Sequence, residues 1–133
     1  MKIGFDTGFF VRLIVRDPKA VKIWKKVISG EVHGVTSCLT LFEISRLSVR
    51  GVLKKEKAKS MIEIIPAACS TVWLSEAGLL KKAAALSVGA GLSSLDALIL
   101  ASLLEAGVER IYTTDRDFET YNKKGVEIIN LRR

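Results

Sequence analysis

The amino-acid sequence predicts an α/β fold, a three-layer α/β/α sandwich in which helices cover both faces of a five-stranded parallel sheet. Short β-rich runs alternate with helical patterns along the chain, and strands separated by helices pair in parallel. The pattern at residues 95–106 is apolar almost all round, which is typical of a central, buried helix. The composition, 49% hydrophobic and 26% charged over 133 residues, is that of a compact protein. We therefore expect one domain covering residues 1–133.

The first half of the chain is predicted to hold two strands and four helices. A buried strand at 2–5 leads into a helix at 7–15. Pro18 suits the first turn of a second helix, which runs to about residue 29 and is closed by Gly30. A strand at 32–37 is followed by helices at 39–50 and 54–65, the first stopped by Gly51 and the second near Pro66.

The second half continues the alternation. A strand at 71–74 precedes a helix at 76–88 that Gly89 and Gly91 end, and Gly107 stops the buried helix. A strand at 110–113, a short helical turn from Asp115 and a strand at 127–131 complete the prediction. In such folds, sites collect where parallel strands end, at the carboxyl edge of the sheet.

Charge favours a polyanionic partner, nucleic acid first, because the net charge is +7 and the isoelectric point near 9.6. The lysine-rich run at 54–59 is equally explained as a solvated helix face. The longest apolar run, residues 97–104, is far shorter than the roughly 20 residues of a membrane span. We expect no membrane segment and no signal peptide, a cytoplasmic location, reduced buried Cys38 and Cys69, and a structural or surface role for His33.

Several catalytic classes lack their motifs. The sequence has no Gly-x-Ser-x-Gly elbow, no phosphate loop of the GxxxxGK[ST] type, and one histidine far from either cysteine. "GAGLSS", residues 89–94, follows a helix and is therefore no dinucleotide loop. A phosphate-accepting receiver domain would need paired acids after the first strand, which are missing.

Four acids each have a structural explanation when taken singly. Asp6 and Asp115 can cap the helical segments that follow them, while Glu43 and Asp96 can complete capping boxes with Thr40 and Ser93. Taken together, they fall near junctions that the topology brings to one edge of the sheet. Neighbouring carboxylates repel, and a divalent cation such as Mg²⁺ or Mn²⁺ relieves that repulsion. The acids therefore predict either caps or a metal site.

Four segments, "IGFDTGFF", "LTLFEISRL", "SSLDALILASLLEAG" and "IYTTDRDF", occur in this order. Together they resemble the PIN-domain ribonucleases, especially the VapC-type toxins of prokaryotic toxin–antitoxin pairs. The resemblance spans nearly the whole chain. It implies a PIN-like five-stranded fold whose acidic pocket binds Mg²⁺ or Mn²⁺ and cleaves RNA phosphodiester bonds.

The resemblance also implies residue roles. Asp6, Glu43, Asp96 and Asp115 match the catalytic acids, with Asp6, Asp96 and Asp115 as metal ligands and Glu43 as a ligand or water-orienting base. Thr113 and Asp117 match supporting positions, and Arg46 matches a basic position of the toxin branch. We expect Arg46 and Arg116 to contact RNA, although Arg116 could instead pair with a neighbouring acid. Where the family usually carries Asn or Ser two positions after the first acid, this chain has Gly8.

The resulting expectation is a metal-dependent endoribonuclease acting as a toxin, homodimeric and bound by a small antitoxin protein. Phe9, Phe10, Ile14 and Trp24 could line the antitoxin groove, although core packing explains most of them. Two alternatives stay open: a non-catalytic nucleic-acid or protein-binding module that keeps the fold, and an RNA-processing nuclease unrelated to toxicity.

Overall fold

Five parallel strands form one sheet in this computed structural model, which describes residues 1–121 and 123–133. The strands are β1 (Lys2–Phe5), β2 (His33–Ser37), β3 (Ser70–Val72), β4 (Arg110–Thr113) and β5 (Glu127–Asn130). Their order across the sheet is β3-β2-β1-β4-β5, and every neighbouring pair is parallel. The predicted α/β fold with a five-stranded parallel sheet is confirmed.

Helices cover both faces of the sheet. They are α1 (Thr7–Ile14), α2 (Pro18–Ile28), α3 (Cys38–Val49), α4 (Lys55–Ala68), α5 (Ala77–Ala90) and α6 (Ser94–Glu105), with a short 3₁₀ helix at Arg116–Thr120. Helices α1 to α4 share one hydrophobic cluster with Phe5 and Tyr112. Helix α6 packs with Val35 and Ile111 in a second cluster, and α5 packs against α6. Because alternate strand residues point to opposite faces, these clusters form the two interfaces of a three-layer sandwich.

The aromatic residues of α1 belong to the core. Phe9 stacks on Phe5 with ring centroids 4.1 Å apart, and Phe10 meets Phe5 edge-on at 5.7 Å. All three rings are fully buried, and Trp24 of α2 packs edge-on against Phe10. Each buried phenylalanine contributes about 1.5–3 kcal/mol. The cluster therefore anchors α1 directly behind β1 and fixes the position of the residue between them.

The chain changes direction across the sheet at β1. The connections from β1 to β2 and β3 step outward on one side, and β4 then pairs with the other side of β1. Segments leaving β1 and β4 therefore diverge and open a crevice at the carboxyl ends of the two strands. Asp6 follows β1 and Thr114 follows β4, so both lie at this crevice.

Several predicted boundaries are wrong. Helix α4 does not end near Pro66 but runs to Ala68, because a proline that is exposed in the last turn removes only one backbone hydrogen bond. Helix α5 passes through Gly89 and ends at Gly91, whose φ of +67° terminates the helix. Strand β3 spans Ser70–Val72 and is shorter than predicted.

The cysteines and the histidine mostly follow the predictions. Both cysteines are free, with Cys69 buried and Cys38 only half-buried. His33 is exposed, and its Nε2 lies 2.7 Å from the Ser70 hydroxyl, as expected of a surface residue. Within the described residues, the helices are too short or too polar to span a membrane.

Candidate active site

An open cavity of about 780 Å³ lies at the carboxyl edge of the sheet. Its walls carry the four predicted acids, Asp6, Glu43, Asp96 and Asp115. These come from four separate segments: the β1–α1 junction, the middle of α3, the first turn of α6, and the loop after β4. The structure therefore brings all four carboxylates into one cavity.

Asp6 is the most buried of the four, with 5% of its surface exposed. Its Oδ1 accepts a hydrogen bond from the Phe9 backbone N–H at 3.1 Å, as an N-cap does. Its Oδ2 accepts from the Thr113 hydroxyl, which itself accepts from the Asp115 backbone N–H at 2.9 Å. Asp6 is thus both a helix cap and part of the cavity wall. Thr113 lies where a supporting hydroxyl was predicted and connects β4 to that carboxylate.

Glu43 is held by a side chain that sequence reasoning did not select. The Thr7 hydroxyl donates to Glu43 Oε1 and also lies 3.4 Å from the Thr40 hydroxyl. The predicted capping box of Thr40 and Glu43 is wrong, because α3 starts earlier, at Cys38, and Ser37 is its N-cap. Glu43 is therefore free of the capping role and faces the cavity.

Asp96, Asp115 and Asp117 form the tightest acidic group in the described residues, with one carboxylate oxygen from each lying within 4.8 Å of the others. The predicted caps are present as well. Ser93 Oγ accepts from the Asp96 N–H at 3.3 Å, and Asp115 Oδ1 accepts from the Asp117 N–H at 2.8 Å. Asp117, exposed on the 3₁₀ helix, joins two of the predicted ligands in this group. Oxygen ligands at this spacing suit a hard divalent cation.

The carboxylates perturb one another. The pKa of Asp6 is raised from 3.8 to about 7, chiefly by burial; the charges of Asp115 and Glu43 also raise it, and the hydrogen bonds from Thr113 and Phe9 lower it. Burial likewise raises the pKa of Asp96 from 3.8 to about 6, with Asp115 and Glu43 adding to the effect. Buried carboxyl groups that lie close together favour their neutral form, so they need a nearby positive charge if all of them are to ionise. The donor set therefore fits a bound Mg²⁺ or Mn²⁺.

Four arginines also line the cavity: Arg12, Arg116, Arg132 and Arg133. Arg12 pairs with Asp17 at 3.1 Å, and Arg133 pairs with Glu119 at 2.7 Å. Within residues 1–121 and 123–133, Arg116 and Arg132 form no ion pair. Their guanidinium groups are the cations available to an anionic ligand. Arg46 is exposed on α3 and lies outside the cavity lining.

Sequence reasoning missed Thr7, Arg12 and the pair Arg132–Arg133. A usable signal existed for the last two, because they follow β5 and the carboxyl ends of all parallel strands share one edge. Thr7 follows Asp6 directly, but its partner Glu43 is 36 residues away, so no local pattern identifies the contact.

Residues 3–124 match the family model of the PIN domain. The chain belongs to the PIN domain family. PIN domain nucleases are generally hydrolytic endonucleases, and the match extends over β1 to β4 and all four cavity acids. No curated protein is similar enough in sequence to count as a relative.

Solved structures share the PIN fold at low sequence identity. VapBC2 from Rickettsia felis, bound to a DNA fragment from its promoter, aligns with a TM-score of 0.72 at 16% identity, covering 98% of each chain. A toxin–antitoxin complex from Klebsiella pneumoniae gives 0.63 at 18% identity, covering 93% of this chain and 94% of that one. FitAcB from Neisseria gonorrhoeae gives 0.61 at 18% identity, covering 96% of each. At these identities the comparisons establish the fold.

Proposed function

We propose that this PIN domain is a divalent-metal-dependent endoribonuclease and the toxin of a toxin–antitoxin pair. The observation that carries the proposal is the convergence of four carboxylates on one cavity, where burial, with a smaller contribution from the charges of Asp115 and Glu43, raises the pKa of Asp6 to about 7. A module that only bound polyanions would gain nothing from such a cluster, since its carboxylates would repel phosphate. The non-catalytic alternative therefore fits the cavity poorly.

Asp6, Asp96 and Asp115 would hold Mg²⁺ or Mn²⁺, with Asp117 close enough to take part. When bound, the cation would offset charge on the scissile phosphate and lower the pKa of a water molecule. Mg²⁺ is usually held through one or two carboxylates plus substrate phosphate, which agrees with an open cavity that retains room for a ligand.

The chain's own residues supply the remaining functions. Glu43, fixed by the Thr7 hydroxyl, orients the attacking water and accepts its proton. The new bond forms between the water oxygen and phosphorus, while the bond from phosphorus to the 3′ oxygen breaks and that oxygen is protonated. The products would carry a 5′-phosphate and a 3′-hydroxyl, as the family resemblance implies. Arg116 and Arg132 would bind flanking phosphates without reading sequence.

The partner proposal draws on the structural neighbours. Two of them are VapBC2 and a toxin–antitoxin complex. We propose by analogy that this chain binds a small antitoxin protein, forms a homodimer and works in the cytoplasm. Light scattering of the isolated protein and co-purification with the product of the adjacent gene test these points. A strict monomer that captures no partner would count against the toxin assignment but not against the nuclease.

Cleavage of a structured RNA tests the nuclease directly. Purified protein should cleave it with Mn²⁺ or Mg²⁺ and lose the activity in a chelator. The Asp6→Ala/Asp115→Ala double variant should be inactive, whereas Glu127→Gln, which alters a surface ion pair with Arg110 outside the cavity, should remain active. Cleavage that persists in the chelator or in the double variant would indicate another mechanism or a contaminant.

A further inference from the structure

Gly8 lies in the first turn of α1 and in the cavity wall, directly against Thr114. A Cβ atom built at position 8 would lie 1.9 Å from the Thr114 hydroxyl oxygen and 3.0 Å from Thr114 Cβ. The first distance is far below any real contact. The threonine hydroxyl therefore occupies the space that a side chain at position 8 would need, and glycine is kept there despite its poor helix propensity.

Thr114 differs from its neighbour in how its hydroxyl is used. The Thr113 hydroxyl is committed to Asp6 and to the Asp115 backbone. Among the described residues, the Thr114 hydroxyl has no hydrogen-bond partner, although it lines the cavity beside Asp6 and Asp115. A hydroxyl offers one donor and two acceptor sites. This group is thus a free donor in a cavity whose other polar side chains are four carboxylates, four arginines, Thr7 and Asn130; the Thr7 hydroxyl already donates to Glu43.

We infer that Thr114 is a substrate-binding residue whose hydroxyl donates a hydrogen bond to a phosphate oxygen of the nucleic acid. This inference rests on the proposed nuclease function. Carboxylates that are ionised on a bound cation accept hydrogen bonds only, so in that state the acids of the cavity would not donate to a phosphate oxygen. The hydroxyl of Thr114, in the loop after β4, fills the space that a side chain at position 8 of α1 would occupy. Thr114 can hold this position only because residue 8 is glycine.

The first test compares Thr114→Val with Thr114→Ser in RNA cleavage. Loss of one hydrogen bond to a charged phosphate should lower kcat/KM by roughly ten- to a hundredfold in the valine variant. Thr114→Ser, which keeps the hydroxyl, should restore most of that loss. Stabilisation by Mn²⁺ in thermal melts should be the same in both variants and in the unaltered protein, because the hydroxyl contacts substrate. Thr71→Val is the matched control, since it removes an unpartnered buried hydroxyl on β3 outside the cavity.

The second test moves the hydroxyl between the two segments. Gly8→Ser alone should be impaired, because its side chain collides with Thr114. Gly8→Ser/Thr114→Gly removes the collision and places a hydroxyl on α1. Gly8→Ala/Thr114→Gly removes the collision in the same way but carries no hydroxyl at either position. The serine double variant should be about tenfold more active than the alanine double variant.

Equal activity of the two double variants, or unaltered kcat/KM in Thr114→Val, would overturn the inference. A loss of the Mn²⁺ response in Thr114→Val would also overturn it, by indicating that the hydroxyl supports the cation instead of the phosphate. If the unaltered protein cleaves no RNA, the proposed nuclease function itself fails. That result differs from a loss of cleavage that is confined to the Thr114 variants, which tests only the role of the hydroxyl. Should a double variant fail to fold by circular dichroism, the valine and serine pair still decides the question.

Discussion

Replacing Asp6 with asparagine should stabilise the metal-free protein at alkaline pH. The carboxyl group has a pKa raised from 3.8 to about 7 in the folded state, so the native state binds a proton more tightly than the unfolded chain. Between about pH 4 and pH 7 the native state holds more protons, and the free energy of unfolding falls as the pH rises. At about 1.4 kcal/mol for each pH unit, ionised Asp6 lowers that free energy by up to roughly 4 kcal/mol above pH 7.

Asparagine removes the ionisation but keeps the shape. It caps helices about as well as aspartate, so its carbonyl can still accept from the Phe9 N–H, as Asp6 Oδ1 does. The variant and the unaltered protein should therefore have similar stability near pH 4. The variant should become progressively more stable as the pH rises to about 7, and the difference should then level off.

Urea unfolding in a chelator at a series of pH values measures this difference. Asp17→Asn is the matched control, because Asp17 is an N-cap outside the cavity lining, and this variant should not gain stability. Added Mn²⁺ should narrow the difference at pH 8, since the unaltered protein gains about 2.7 kcal/mol at a hundredfold excess over Kd and the variant gains less. An Asp6→Asn protein that is equally destabilised at pH 5 and pH 8 would refute the view that ionisation of buried Asp6 weakens the metal-free fold.

Three further predictions address other cavity residues. Asp96→Asn keeps the backbone N–H that donates to Ser93, so α6 should stay capped. RNA cleavage and the increase in melting temperature on adding Mn²⁺ should both fall. A variant that retains both would show that Asp96 only caps the helix. Thr7→Val removes the hydroxyl that donates to Glu43 and should lower kcat by roughly tenfold or more with little change in KM. An unchanged kcat would show that Glu43 does not depend on Thr7 for its position. Arg116→Ala and Arg132→Ala should each raise KM and reduce the slope of the logarithm of the RNA-binding constant against the logarithm of salt concentration by about 0.7. The control Arg110→Ala, which removes the surface ion pair with Glu127, should alter neither quantity. Equal effects in all three variants would indicate that only the net charge of the protein matters.

The architecture and the set of acids were predictable because both depend on regular patterns. Alternating strands and helices allow one class of sheet, and its carboxyl edge collects residues such as Asp6 and Asp115 that directly follow strands. The sequence did not decide whether each acid caps a helix or binds a metal. The local pattern presents these roles as alternatives, although one carboxyl group can fill both. In the fold, Asp6 uses one oxygen as a cap and turns the same carboxyl group toward the cavity.

Features that depend on contacts between distant segments were not predictable. The capping box at Thr40 fitted the local pattern, yet α3 starts at Cys38 with Ser37 as its cap. Thr7 reaches Glu43 across 36 residues, and Gly8 is explained only by the approach of Thr114. The last two facts follow from tertiary packing, on which the local sequence carries no information, whereas the Ser37 cap is a local contact with the Leu39 N–H.

The hydrogen bond between Thr113 and Asp6 joins residues 107 positions apart. A chain emerging from the ribosome presents β1 and Asp6 first, yet β1 has its β4 neighbour only after residue 113 has been made. Until then one edge of the central strand is unpaired, and the cavity lacks Asp115 and the tie through Thr113. A nascent chain that ends before residue 113 therefore lacks the assembled acidic cavity. The order of synthesis itself delays the proposed nuclease activity until residues 113–115 have been made.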